Sequence, residues 1–330
     1  MSKFARFAHP VLALSLTVTI ILTGSASGAT AAPSSQDTAG FIARHFDGGK
    51  FIDGLTPGQP DYGFSIEALL QLKALGQPKM AYAAAEKYLL LSSSVSGSAD
   101  TPSGFLFNAG KLRLGLAGKW SFVSAVLGSP NRALRQAIIG GILSKIDGTG
   151  DVAPDAAANT YDRAWMVLGL VANERPRQAA TLAQNISRHQ LADGGFNDGF
   201  TLGSSSTDGT GITLQALSAA LPRASADQRK TILAAIGRSV AYLGANLKQD
   251  HFESYGDADV NGTAYAAMGL KAAGKPSLGI VQWLKSEIAS DGGLTTPWSA
   301  GAGDIYATAQ GIVATKGLSY LDLLKLVNKG

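Results

Sequence analysis

The sequence has no cysteine. That excludes disulfides, thiolate metal sites, a cysteine nucleophile and a lipidated cysteine. Histidine is nearly as scarce: His9, His45, His189 and His251 lie far apart, with none of the short spacings of a zinc site. No metal and no cofactor is expected. Charged residues make up only 16% of the chain. No basic stripe with interleaved aromatics suggests a nucleic-acid partner. Gly-x-Ser-x-Gly is missing, and Ser96-Gly-Ser98 has no histidine context. Gly301-Ala-Gly303 lacks the strand and the following pattern of a phosphate-binding loop.

One apolar run stands near the start. Lys3 and Arg6 precede a largely apolar stretch from Val11 to Leu22, and Ala29-Thr30-Ala31 supplies small residues for cleavage. Residues 1–31 therefore read as a secretory signal peptide, too short and wrongly flanked for a stable span. An extracellular protein beginning near Ala32 is expected, with 32–330 as one domain. Without Lys3 and Arg6 the formal charge of +4 falls to +2, so the basic balance carries little meaning. No later stretch approaches ~18 uninterrupted apolar residues, and no membrane span is expected in the mature chain.

What the chain does have is a repeat. Turns rich in Asp and Gly occur at Asp47-Gly-Gly, Asp147-Gly-Thr-Gly-Asp, Asp193-Gly-Gly and Asp291-Gly-Gly. Acidic residues at Asp61, Asp162, Asp208, Asp259 and Asp304 then open Ala-rich apolar helices. Asp61, Asp162, Asp208 and Asp304 follow their turns by 13 to 15 residues. The pattern predicts first helices over 61–75, 107–117, 160–172, 209–220, 259–273 and 304–315. It predicts second helices over 79–91, 131–145, 176–189, 226–247, 278–289 and 320–328, with a leading helix near 38–46. The first helices are apolar all round, as in Thr263-Ala-Tyr-Ala-Ala-Met-Gly-Leu, and a helix without a polar face is buried on every side. The second helices carry Lys, Arg, Glu and Gln on one face. Stacked units of this period predict an all-α barrel, an (α/α)6 toroid of six helical hairpins.

Gln190-Leu-Ala-Asp-Gly-Gly-Phe196 followed by Asp208-Gly-Thr-Gly-Ile-Thr-Leu-Gln215 resembles the repeat of protein prenyltransferase β-subunits and squalene cyclases. Asp291-Gly-Gly-Leu followed by Asp304-Ile-Tyr-Ala-Thr-Ala-Gln310 repeats it. The likeness runs from about residue 40 to residue 330. It is greatest to secreted bacterial repeat proteins of this terpenoid cyclase and prenyltransferase superfamily. It implies the α/α toroid. Zinc-dependent prenyl transfer and thioester chemistry both need a cysteine that this chain lacks. Class II cyclases protonate an alkene with the middle Asp of D-x-D-D. Asp257-Ala-Asp259-Val260 is similar, but Val260 stands where the last Asp should be.

Several residues are candidates for function. Asp257 and Asp259 would carry the acid of a reduced terpene cyclase; as recurring helix starts, most of the aspartates are better accounted for as N-caps. Glu67, Gln215 and Gln310 sit in apolar helices. They either hydrogen-bond between inner helices or face a central cavity. Tyr62, Phe64, Phe105, Phe107, Tyr161, Trp165, Tyr255, Tyr265 and Tyr306 cluster near inner-helix starts, with Trp298 in the preceding loop. They either ring a ligand at the barrel mouth or plug it. Lys111 and Arg163 are placed with them, as head-group ligands or partners of Asp162. The leading expectation is a largely apolar, isoprenoid-like small molecule bound at the mouth without turnover. The alternatives are the reduced cyclase and a surface protein with a filled barrel and a protein partner.

Overall fold

Helices that are apolar on all faces must bury all faces, and here they do so by closing a ring. The computed structural model describes residues 34–91, 102–154, 158–199 and 203–327. The expected signal peptide and the whole of the polar 92–101 segment lie outside these. In chain order the helices are α1 (Ser35–Arg44), α2 (Tyr62–Ala74), α3 (Ala83–Glu86), α4 (Leu114–Val126), α5 (Arg132–Leu143), α6 (Thr160–Ala172) and α7 (Pro176–Arg188). They continue with α8 (Thr207–Ala220), α9 (Ala226–Asn246), α10 (Val260–Ala272), α11 (Leu278–Ser286), α12 (Ile305–Thr315) and α13 (Tyr320–Val327). The even-numbered helices α2 to α12 pack each on the next, and α12 packs on α2. The described elements all belong to one compact unit, Ala32–Gly330. No helix among the described residues is long and apolar enough to cross a membrane.

Glycine sets how closely the inner helices approach. A Cβ on Gly118 of α4 would lie 2.6 Å from the backbone of Trp165 in α6, and one on Gly169 would lie 2.6 Å from the Gly118 carbonyl oxygen. Gly211 of α8 and Gly269 of α10 face each other in the same way. These two seams pack backbone on backbone, which only glycine permits.

The outer layer is α5, α7, α9 and α11, each lying against the inner helices beside it. Helix α7 buries Ala179, Ala180, Leu182, Ala183 and Ile186 and turns its charges outward. The second helix expected over 79–91 is instead a 3₁₀ turn, the single turn α3 and a π turn at Lys87–Leu91. Tyr82, at φ −135°, interrupts regular geometry between the first two.

Helix α13 departs from expectation. It is not an outer helix of the sixth hairpin, because it touches α2, α4, α8 and α10 at once. It enters the ring along its axis, and Tyr320 at its start is completely buried. The outer seat beside α12 goes to α1, which packs on α12 and α2. The helix expected over 107–117 is also displaced. Ala109 and Gly110 adopt positive φ and turn the chain between β4 (Phe107–Asn108) and β5 (Lys111–Leu112), so α4 begins only at Leu114. Lys111 is accordingly an exposed hairpin residue and not a helix start.

The Asp-Gly turns lie at the end from which the inner helices start. Short pairings tie each turn to the next helix: β1 (Phe46–Asp47), β2 (Phe51–Asp53) and β3 (Pro60–Asp61) pair in order, as do β6 (Glu253–Ser254) and β7 (Asp257–Ala258). Single bridges join Phe196 to Ser206 and Leu294 to Asp304. A hydroxyl one turn into the helix completes the lock. Ser65, Thr210, Thr263 and Thr308 accept from the backbone N–H of Ile52, Phe196, Phe252 and Leu294 at 2.8, 2.9, 2.9 and 2.8 Å. Each donor belongs to a buried apolar residue that would otherwise leave its N–H unsatisfied.

Candidate functional site

The recurring aspartates divide into two kinds. Asp61, Asp259 and Asp304 are N-caps, accepting from the N–H of Phe64, Gly262 and Ala307 at 2.9, 2.8 and 2.8 Å. Asp162 and Asp208 are not. Asn159 caps α6, with Asp162 closing a capping box, and Ser206 caps α8 through Gly209 N–H at 3.1 Å. Asp208 is therefore not the N-cap expected of it, although its Oδ1 shares the Gly209 N–H with Ser206, at 2.9 Å. Burial pushes its carboxyl above the ordinary value; hydrogen bonding to Ser206 opposes this and the charge of Asp198 adds to it. Burial also raises Asp259, where the N–H of Gly262 opposes and the charge of Asp208 adds. Asp257 is exposed on β7.

Three hollows share these carboxylates at the end of the ring where the inner helices begin. The first, about 810 Å³, is bordered by Asp198, Ser204 to Asp208, Tyr242, Asn246, Lys248, Glu253 to Gly256 and Asp259. The second, about 240 Å³, shares Asp198 and Asp208 and adds Asp61, Gly63, Phe64, Lys119, Tyr161 and Gln310. The third, about 270 Å³, shares Ser254, Tyr255 and Asp259 and adds Asp257, Asn261, Thr296 and Trp298 among others. Their common residues make one polar cleft across the mouth. Among the described residues, no three His, Asp or Glu side chains are grouped to hold a metal ion.

Beneath the cleft the axis is filled. Glu67, fully buried, accepts from Lys119 Nζ at 2.6 Å, from Tyr320 Oη at 2.6 Å and from Tyr265 Oη. Burial opposes the charge on Lys119, but Glu67, Tyr161 and Asp61 together outweigh it and hold the ammonium above its ordinary value. Tyr161 Oη meets Tyr265 Oη at 2.8 Å, and Gln310 donates to Tyr265 Oη at 3.2 Å while accepting from Asn261 Nδ2 at 2.6 Å. Gln215 Oε1 accepts from the backbone N–H of Tyr320 at 3.0 Å. Glu67, Gln215 and Gln310 thus bond between elements of the ring and its plug, and Gln310 also borders the mouth.

The structure does not gather the expected aromatics into one ring. Trp165 and Tyr265 are buried against Tyr320, with ring centroids 5.4 and 6.5 Å away. Tyr62 stacks on Phe105 at 4.2 Å, Phe64 leans on Tyr306 at 4.7 Å, and Tyr306 Oη donates to the Asp53 carbonyl at 3.0 Å. Phe107 is half-buried on β4. Phe64 and Tyr161 border the 240 Å³ hollow, while Tyr255 and Trp298 stand out at the rim of the 270 Å³ one. Arg163 donates to Asn185 Oδ1 at 3.0 Å and meets His189 at 2.9 Å; it does not pair with Asp162. Sequence reasoning missed Asp198, Lys119 and Tyr320. Lys119 had a signal, as the one charge in Leu114–Val126. Asp198 had none, because it lies in an irregular loop.

No protein-family model matches the chain, and no curated protein matches it. Among solved structures, a variant of UGL, an unsaturated glucuronyl hydrolase, with dGlcA-Glc-Rha-Glc has a similar fold. The TM-score is 0.55 at 12% identity, over 86% of this chain and 94% of that one. At this identity the likeness bears on architecture: the chain is an all-α toroid.

Proposed function

We propose that this chain is a carbohydrate-active α/α toroid that hydrolyses glycosidic bonds in the cleft across its mouth, with Asp208 as proton donor. The observation that carries the reading is the Asp208 carboxyl, raised by burial and by Asp198 despite its hydrogen bonds to Ser206 and to the Gly209 N–H, and bordering an open polar hollow of about 810 Å³. A carboxyl raised above its ordinary value beside a second carboxylate is the pairing that glycoside hydrolysis requires. Water adds to the anomeric carbon and the glycosidic C–O bond breaks. The departing oxygen takes its proton from Asp208, and the proton lost by water passes to Asp198. Carboxylates, serine hydroxyls and Asn246 line the walls, groups suited to sugar hydroxyls. The UGL neighbour, seen with an oligosaccharide, supplies a precedent of fold.

The isoprenoid-like ligand expected from the sequence has less to hold it. Trp165 and Tyr265, two of its proposed contacts, are packed under Tyr320, and the walls of the mouth are acidic. For a reduced cyclase, Asp259 is tied to Gly262 N–H and Asp257 is exposed. Kinship with the terpenoid cyclase group rests on the repeat itself. The filled axis agrees with an interaction protein, but such a protein has no need of a raised carboxyl in a cleft. We place the protein outside the cell on the strength of residues 1–31; N-terminal sequencing of secreted material should begin near Ala32.

The decisive experiment is purified protein incubated with a panel of soluble glycans and assayed for new reducing ends. Wild type should release them, and Asp208→Asn should lose on the order of 10²- to 10⁴-fold in rate. No release from any glycan, or full activity in Asp208→Asn, would sink the proposal.

A further inference from the structure

The outer end of the cleft carries two large aromatics in water. Tyr255 is 94% exposed and Trp298 is 77% exposed, and both border the same hollow of about 270 Å³ with Asp257, Asp259 and Asn261. Neither ring contributes to the core. Tyr255 also holds an unfavourable backbone. It is the first residue of the two-residue turn between β6 and β7, at φ +55°, with Gly256 at +91°. Turns of this type favour Asn, Asp or Gly at that position. Other described positive-φ positions preceding a glycine hold Gly48, Ala109, Gly194, Gly292 and Ala300, all small. A bulky ring kept in a strained conformation and left in solvent is the pattern of a residue retained for contact with a ligand.

The charge around these rings is one-sided. Asp61, Asp198, Asp208, Glu253, Asp257 and Asp259 border the three hollows, against Lys119 and Lys248. Lys119 is already committed to Glu67 at 2.6 Å. An anionic sugar entering here meets like charge at every step, whereas a neutral sugar meets hydrogen-bond acceptors and an amino sugar meets opposite charge.

We infer that Tyr255 and Trp298 form a saccharide subsite that stacks a neutral or amino sugar, and that the surrounding carboxylates turn uronates away. This rests on the reading of the cleft as a carbohydrate site. It parts from the neighbouring fold, whose ligand begins with a glucuronyl unit.

The test is calorimetric titration of the full chain with three hexasaccharides: the glucosamine hexamer, cellohexaose and hexagalacturonate. One of the first two should bind, and hexagalacturonate should not. Tyr255→Ala and Trp298→Ala should each weaken that binding about tenfold. Both side chains are exposed, so an unchanged melting temperature certifies the fold of each variant. Tighter or equal binding of hexagalacturonate, no binding of either of the others, or wild-type affinity in both variants would overturn the inference. Aromatic-dependent binding without release of reducing ends would remove only the hydrolytic reading. Hydrolysis with KM unchanged in both variants would remove only the subsite.

Discussion

Asp208 pits stability against the proposed chemistry at one residue. Its carboxyl is raised above the ordinary 3.8, so the folded protein binds this proton more tightly than the unfolded chain does. The resulting stabilisation is complete below the ordinary value and is lost as pH rises through the raised one, leaving a buried charge above it. Asp208→Asn keeps an oxygen for the Gly209 N–H and carries no charge. It should melt at the same temperature as wild type at pH 3 and on the order of 2 °C higher at pH 7, while losing activity. A scan of melting temperature against pH for both proteins checks this, and parallel curves would remove the buried charge from the argument. Glu67 works in the other direction, because it neutralises a buried ammonium and receives two tyrosine hydroxyls. Glu67→Gln strands Lys119 and should cost about 3–5 kcal/mol in urea unfolding. Adding Lys119→Met should restore part of that, since the stranded charge is then gone.

Helix by helix, the two glycine seams are the most sensitive contacts. Gly118→Ala places a methyl 2.6 Å from the backbone of Trp165, and backbone cannot rotate away as a side chain can. The α4–α6 pair must separate, at about 1–3 kcal/mol; Gly140→Ala on α5, where a Cβ meets open space, should cost nothing by the same chemical denaturation. Such elements were legible in the sequence to very different degrees. Helix α6 begins and ends where its apolar run does, and α7 starts at its proline, because each has an unambiguous stop or start residue. Helix α4 was misplaced because Phe105-Leu-Phe107 continues an apolar run through what proves to be a hairpin, and only Ala109-Gly110 marks the bend. The cap of α8 was ambiguous, since Ser205, Ser206, Thr207 and Asp208 are all good caps, and choosing Ser206 is what places Asp208 inside the first turn at the edge of the cleft. Helix α13 was legible as a helix but not in its place. Tyr-Leu-Asp-Leu-Leu-Lys-Leu-Val has the amphipathic pattern of an outer helix, and periodicity cannot say which neighbours an apolar face will meet.

For the whole molecule, that placement decides whether the barrel is hollow. Tyr320 packs among Phe122, Trp165 and Tyr265 and donates to Glu67, so its removal opens the axis and deprives Glu67 of a donor. Tyr320→Ala should cost about 3–5 kcal/mol, while Tyr320→Phe, which keeps the ring, should lose only the hydrogen bond, about 1–3 kcal/mol. Thermal unfolding of the pair separates the two contributions, and equal losses would mean that the ring itself fills nothing. The plug also fixes a timetable. Helix α1 takes the outer seat beside α12, and α13 enters an axis that exists only once the other helices surround it. The earliest and latest helices of the fold must therefore both be in hand before the interior can close, and a chain halted just short of Tyr320 is a ring without its plug, its axial lining wet. Nearest-neighbour growth, by which open arrays of repeats fold piece by piece, cannot finish this molecule. Its last step is a long-range closure and a slow one, and until that step the nascent protein is at its most exposed to aggregation.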